Sequence, residues 1–126
     1  MEINFTLLGE TPSKKNVNKF NTKTRRVYKD NNFVKWHDSQ LMFLSLLAHS
    51  GKIKPFLDDK PLRIEMYFVH GDKKRRDSDN QCSSIMDLLV DSGIIKDDNW
   101  KIVREKLIVD SYQKNISECR IKIIEL

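Results

Sequence analysis

Residues 61–70 read Pro-Leu-Arg-Ile-Glu-Met-Tyr-Phe-Val-His. Leu62, Ile64, Met66 and Phe68 alternate there with Arg63, Glu65, Tyr67 and Val69. That period of two fits an extended strand with one buried face, because successive strand side chains point to opposite sides. A helix would scatter the four apolar side chains around its circumference. The strand therefore demands sheet partners and a layer to cover its apolar face, and the rest of the chain must supply both. Ile3, Phe5 and Leu7 alternate with Asn4, Thr6 and Leu8, which predicts a first strand over residues 2–8. Two β-rich segments near the C-terminus, Trp100–Asp110 and Ile116–Leu126, are separated by Ser111–Asn115 and predict an antiparallel hairpin.

The covering layer is legible as two helices. Asp30 or Asn31 can cap one that continues to about Ser50, with Phe33, Trp36, Gln40, Phe43 or Leu44, and Leu47 at helical spacing and Gly51 as its stop. Asp79 can cap a second that runs to about Ser92, with an apolar stripe of Cys82, Ile85, Met86, Leu89 and Val90 and Gly93 at its end. Between the first strand and first helix, Gly9–Lys23 reads as a long basic loop, with Arg25–Lys29 as a short extended return. Lys52–Lys60 reads as a connection. The order β, α, β, α, β, β predicts one α+β domain over residues 1–126, a mixed sheet with both helices on one face.

At 126 residues the chain suits one hydrophobic core rather than two. Its longest apolar run, Leu41–Ala48, is interrupted by Ser45 and is far shorter than the roughly 20 residues needed to cross a bilayer. No membrane span is expected. The start, Met-Glu-Ile-Asn-Phe, has neither the basic nor the apolar region of a secretory signal, so a cytoplasmic location is expected. Cys82 and Cys119 have no Cys or His at zinc-like spacing, which predicts two reduced, buried thiols.

The formal net charge is +5, and its distribution says more than its size. From Thr11 to Lys29 stand seven basic residues (Lys14, Lys15, Lys19, Lys23, Arg25, Arg26, Lys29) and no acid, and a second block, Lys73-Lys74-Arg75-Arg76, directly precedes two aspartates. A phosphate backbone matches such runs; so does plain water around a solvated basic loop.

The cluster that carries chemistry is Lys73-Lys74-Arg75-Arg76-Asp77-Ser78-Asp79-Asn80, with Asp97-Asp98 across the second predicted helix. Phosphodiester hydrolysis needs a hard cation, and Mg²⁺ takes carboxylate oxygens while keeping several waters. In an extended stretch Asp77 and Asp79 would project to the same side, and the turn after the helix could return Asp98 to them. A purely structural assignment is also open: Asp79 as a helix cap, Asp77 as a partner of Arg75 or Arg76, and Asp97-Asp98 as a polar turn. Asp87 and Asp91 read as solvent-facing, and Ser45, Ser83 and Ser84 lack the context of a nucleophile. His37, His49 and His70 share no motif.

These residues resemble the RusA-type Holliday junction resolvases, phage-derived or prophage-borne enzymes that cut four-way DNA junctions. The family's basic run followed by Asp-x-Asp-Asn is matched by Lys73 to Asn80. Its helix ending in Gly before a hydrophobic pair and Asp-Asp is matched by Asp87-Leu88-Leu89 through Gly93-Ile94-Ile95-Lys96-Asp97-Asp98, and its Pro-Ser-x-x-Asn loop by Pro12-Ser13-Lys14-Lys15-Asn16. The resemblance implies a homodimer acting in DNA recombination and repair. It implies Mg²⁺, with Mn²⁺ as a substitute, held by catalytic Asp77, Asp79 and Asp98. It also implies DNA contacts from Ser13, Lys14, Lys15, Asn16, Lys73, Lys74, Arg75 and Arg76. One departure stands out: the family carries a lysine where this chain has Ser83, and no Lys or Arg occurs from Gln81 through Ile95. A cation from Lys14, Lys15 or the 73–76 run would have to substitute. The alternatives are a non-catalytic basic DNA-binding protein and a metal nuclease of other branched DNA.

Overall fold

A computed structural model describes residues 1–13, 18–29 and 31–126, the side chains of 18–21, 27–29 and 31 excepted. Strand β1 (Glu2–Leu8) is followed by a small hairpin, β2 (Asn18–Asn21) and β3 (Arg26–Lys29), then α1 (Asn31–His49), β4 (Leu62–His70), α2 (Ser78–Asp91), β5 (Val103–Tyr112) and β6 (Glu118–Glu125). β3 coincides with the expected extended return, whereas β2 takes residues that read as loop; the two pair antiparallel. Asp30, one of the two candidate caps of α1, lies outside the described residues.

The main sheet is four-stranded and mixed, in the order β1-β6-β4-β5. The two strands read as a C-terminal hairpin do not pair with each other. β6 lies between β1 and β4, antiparallel to both, while β5 runs parallel to β4 at the edge. Burial explains the swap. β6 presents Cys119, Ile121 and Ile123, all at most 2% exposed, and so belongs between two neighbours, whereas the exposed end of β5, Asp110-Ser111-Tyr112, tolerates an edge. The connecting turn steps across the end of β4: the Gln113 N–H donates to the His70 carbonyl at 3.0 Å and the Asn115 N–H to the Gly71 carbonyl at 3.1 Å. Gly71 permits this close approach, since a Cβ there would sit 2.7 Å from Ser117 Oγ.

The alternation read from the sequence governs the core. Ile3, Phe5 and Leu7 of β1, Leu62, Ile64, Met66 and Phe68 of β4, and the inward residues of β6 form one apolar face, and both helices cover it. The result is a single α+β domain of two layers. α2 buries Ile85, Leu88 and Leu89 completely, and each such side chain contributes about 1.5–3 kcal/mol relative to exposure. Leu88 was missing from the predicted stripe. Because β4 and β5 are parallel, α2 must carry the chain back from the C-terminal end of β4 to the N-terminal end of β5. Among the described residues no helix is long and apolar enough to cross a membrane. Cys82 and Cys119 are both buried and free, and burial pushes both thiols up, which keeps them protonated.

Candidate functional site

β4 ends at His70, and the seven residues before α2 carry the basic block and the first aspartate. The helix starts two residues earlier than its sequence predicts. Its N-cap is Asp77, not Asp79, with extended φ −101° and ψ 113°, and the Asp77 carbonyl accepts the N–H groups of Asn80 at 3.1 Å and Gln81 at 3.3 Å. Ser78 is already helical, so the argument from an extended stretch does not apply to Asp77 and Asp79. They stand instead in and before the first turn, where the free N–H groups of the helix end favour negative charge. The Asp77 side chain makes no cap hydrogen bond, and both residues are exposed.

The cations beside them are sorted by a second set of acids. Arg76 donates from Nε to Glu10 at 2.6 Å and forks onto Asp72, at 2.7 Å and 3.1 Å. Arg76 first, and the Lys74 N–H second, hold the Asp72 carboxyl down to about 2. Glu10 also meets Nδ1 of His70 at 2.6 Å, and Asp110 meets its Nε2 at 2.8 Å. Burial pulls the His70 pKa down, but the hydrogen bonds to Asp110 and Glu10 together outweigh it, and the net direction is up. A chain Asp110–His70–Glu10–Arg76–Asp72 thus stiffens the base of the basic loop. Lys73, Lys74 and Arg75 remain exposed, Lys73 with its ammonium 5.1 Å from the Tyr112 ring centroid.

Between this lattice and α2 lies a cavity of about 400 Å³, lined by Glu10–Ser13, Arg75–Asp77, Asn80 and Gln81. The Ser13 loop is fastened to α2 from below: Gln81 Nε2 donates to the Thr11 carbonyl at 2.8 Å and Ser84 Oγ to the Pro12 carbonyl at 2.6 Å. Thr11 Oγ1, Ser13 Oγ and Gln81 Oε1 are buried with no hydrogen-bond partner among the described residues. Unsatisfied polar atoms cost about 1–3 kcal/mol each, so three at one cavity mark a place for waters or a polar ligand. Ser13, Arg75, Arg76 and Asp77 are thereby brought together. Lys14, Lys15 and Asn16 lie outside the described residues. Glu10, Thr11 and Gln81 were missed, although a lone acid just before an acid-free basic stretch is a readable signal for Glu10.

Asp98 is not brought to this place. The Ile102 carbonyl accepts the Leu62 N–H at 2.7 Å, and Val103 pairs with Leu62, which fixes the 92–102 link at the N-terminal end of β4. Asp77 lies beyond the C-terminal end of that strand. A helix rises about 1.5 Å per residue, so the two ends of the 14-residue α2 stand on the order of 20 Å apart. Accordingly, among the described residues no group of three or more His, Cys, Asp or Glu side chains is arranged to hold a metal ion. Asp97 accepts the Asp98 N–H at 2.7 Å and the Asn99 amide at 3.0 Å, contacts that lower its pKa in that order. Asp91 pairs with His37 at 2.9 Å. Ser83 is exposed and donates to the Asp79 carbonyl at 3.1 Å.

No protein-family model and no curated protein matches the chain.

Proposed function

We propose that this chain is a Mg²⁺-dependent endonuclease of branched DNA, resolving four-way junctions by paired nicks, and that it works as a homodimer. In the dimer, Asp77 and Asp79 of one copy meet Asp98 of the other. The observation that carries the reading is the N-terminal end of α2, where exposed Asp77 borders a polar cavity flanked by Arg75 and the Ser13 loop, and exposed Asp79 follows in the first turn. The motif likeness to RusA-type resolvases supports it on the residues quoted above. A cytoplasmic setting in recombination and repair, and a phage or prophage source, belong to the same reading.

The donor set suits Mg²⁺, which accepts one or two protein carboxylates and keeps its remaining positions for water and phosphate oxygens; Mn²⁺ can substitute. Asp77 and Asp79 are two such carboxylates. Glu10 and Asp72 are taken by Arg76, Asp98 of the same chain is some 20 Å off by the helix rise, and a two-fold partner is the simplest way to bring it near. When bound, the cation shields the phosphate and lowers the pKa of an attacking water. The chain's own residues do the rest. Lys73, Lys74 and Arg75 hold the phosphate backbone, and the Thr11 and Ser13 hydroxyls can donate to a phosphate oxygen or to water. Arg76, engaged with Glu10 and Asp72, keeps the run in shape rather than gripping DNA. Two identical sites across a two-fold axis answer the two symmetric nicks that a junction requires.

Mixing two dead variants tests this. Asp79→Asn and Asp98→Asn should each fail to nick a synthetic junction in Mg²⁺. After subunit exchange a 1:1 mixture should regain roughly a quarter of the parent nicking rate, because half the dimers are mixed and each mixed dimer holds one intact site. No recovery despite exchange would sink the shared site. Parent-rate nicking by Asp79→Asn alone would sink the metal assignment, and no nicking by the parent protein in Mg²⁺ would leave a non-catalytic junction binder.

A further inference from the structure

Two residues after Asp98 stands Trp100, with 69% of its surface exposed. A large aromatic side chain left so open forgoes stabilisation that burial would provide. The Arg104 guanidinium lies over the ring, 5.8 Å from its centroid, which covers one face and leaves the indole otherwise open. Alongside runs a groove of about 620 Å³ whose lining includes Lys96, Lys101 and Arg104. Its acids are engaged. Asp59 pairs with Lys96 at 2.6 Å, and Asp97 is held by the Asp98 N–H and the Asn99 amide. Among the described residues neither Lys101 nor Arg104 has a carboxylate partner, so a flat exposed ring is flanked by two available cations.

We propose that Trp100 is a stacking platform for an unpaired nucleobase, with Lys101 and Arg104 holding the phosphates on either side of it. The chemistry of the patch selects the ligand. A single-stranded nucleic acid offers a π-face and an anionic backbone at adjacent positions, and stacking of this kind is tolerant of base identity. A protein surface would have to bring an apolar patch and acids in the same arrangement. The proposal rests on the branched-DNA reading for the source of the unpaired base, such as a strand crossing at a junction, but its test needs neither metal nor cleavage.

The chain has two tryptophans, and the other, Trp36, is half-buried on α1, so Trp36→Phe leaves Trp100 as the sole indole reporter. This protein is titrated in EDTA at low salt with a thymidine oligomer of about 12 nucleotides, the scale of a single-strand site, and with blunt duplex and inorganic polyphosphate. The expected result is strong quenching by the single strand and weak quenching by the other two. Trp100→Ala, in the otherwise parent protein, should weaken single-strand affinity roughly 5- to 100-fold by anisotropy, while Trp100→Phe retains most of it. Oligomer binding without quenching would overturn the platform. So would equal quenching by polyphosphate, or a signal that follows protein concentration alone and marks Trp100 as a contact between copies. Loss of nicking in Asp79→Asn bears on the nuclease reading and leaves this titration unaffected, so the two can fail separately.

Discussion

The two ends of α2 each carry paired aspartates beside cations, and the folded chain treats them differently. At the N-terminal end the strongest local ion pairs form between other residues: Glu10 and Asp72 take Arg76, and Glu10 and Asp110 take His70. That leaves Asp77 and Asp79 exposed at a helix end that favours anions. At the C-terminal end Asp97 is absorbed by its own turn and Asp59 by Lys96, and what stays open is Asp98 and, beside it, an indole with two cations. Charge counting along the sequence cannot separate these cases. What distinguishes them is which acid reaches which base first, and that depends on partners as far apart in sequence as Glu10 and His70.

The largest effect expected from breaking the contrast is catalytic. Asp79→Asn removes a carboxylate from the N-terminal end while Asp77 remains the N-cap, so stability should change only by the loss of one favourable helix-end charge, about 0.3–1 kcal/mol. Nicking should fall by orders of magnitude, while junction affinity without metal holds or rises because a charge facing the phosphates is gone. If the aspartates are purely structural, the same variant changes neither, and a junction-cleavage time course beside a thermal melt tells the two apart.

Next in size is Gly71→Ala, which acts on the N-terminal end alone. Its Cβ would lie 2.7 Å from Ser117 Oγ and 3.1 Å from the Ile116 nitrogen. The hydroxyl can turn aside, at the loss of its 3.2 Å bond from the Gly71 N–H, but the backbone must yield. Destabilisation of about 1–3 kcal/mol in urea unfolding is expected. Quenching of Trp100 by single-stranded oligomer should persist under native conditions; its loss would show that the two ends are coupled.

A smaller effect is a pH dependence centred on His70. Its folded pKa lies above the ordinary 6.5, so its contribution is fully present below that value and is lost as pH rises through the higher folded pKa. Stability of the parent should therefore decline from near neutrality upward, and His70→Gln should flatten that decline. Unchanged curvature in the variant would assign the pH response to other groups.

The sheet was legible wherever one face is buried, because period-two alternation in β1 and β4 states both the strand and its inward side. The pairing of β5 and β6 was not, since proximity in sequence favours a hairpin and only the burial of Cys119, Ile121 and Ile123 demands a central strand. Both helices and their glycine stops were readable, with Gly51 at φ +78° and Gly93 at φ +76°. The start of α2 was misplaced because Asp77 and Asp79 are equally good caps by type. The basic run and the Ser13 loop were recognisable as candidates. The separation of Asp98 was not, because it follows from the parallel pairing of β4 with β5, a property of topology rather than of any local spacing.

The smallest effect separates two adjacent arginines. Arg75 lines the cavity, is exposed, and has no carboxylate partner among the described residues, so in DNA binding it should displace about one condensed counterion. Arg75→Ala should lower the slope of log affinity against log salt by about 0.9 on duplex arms, with stability within about 0.5 kcal/mol of the parent. Arg76 already spends its donors on Glu10 and Asp72. Arg76→Ala should leave the salt slope nearly intact and act instead within the lattice. The Asp72 carboxyl, now held at about 2, should move back toward 3.8, which a carbon-detected NMR pH titration reads directly. The two variants would exchange signatures if Arg76 released its acids to grip DNA: the slope would then fall for Arg76→Ala as well. In that case the ion-pair lattice would act as a store of cations for the bound state rather than a brace for the free one.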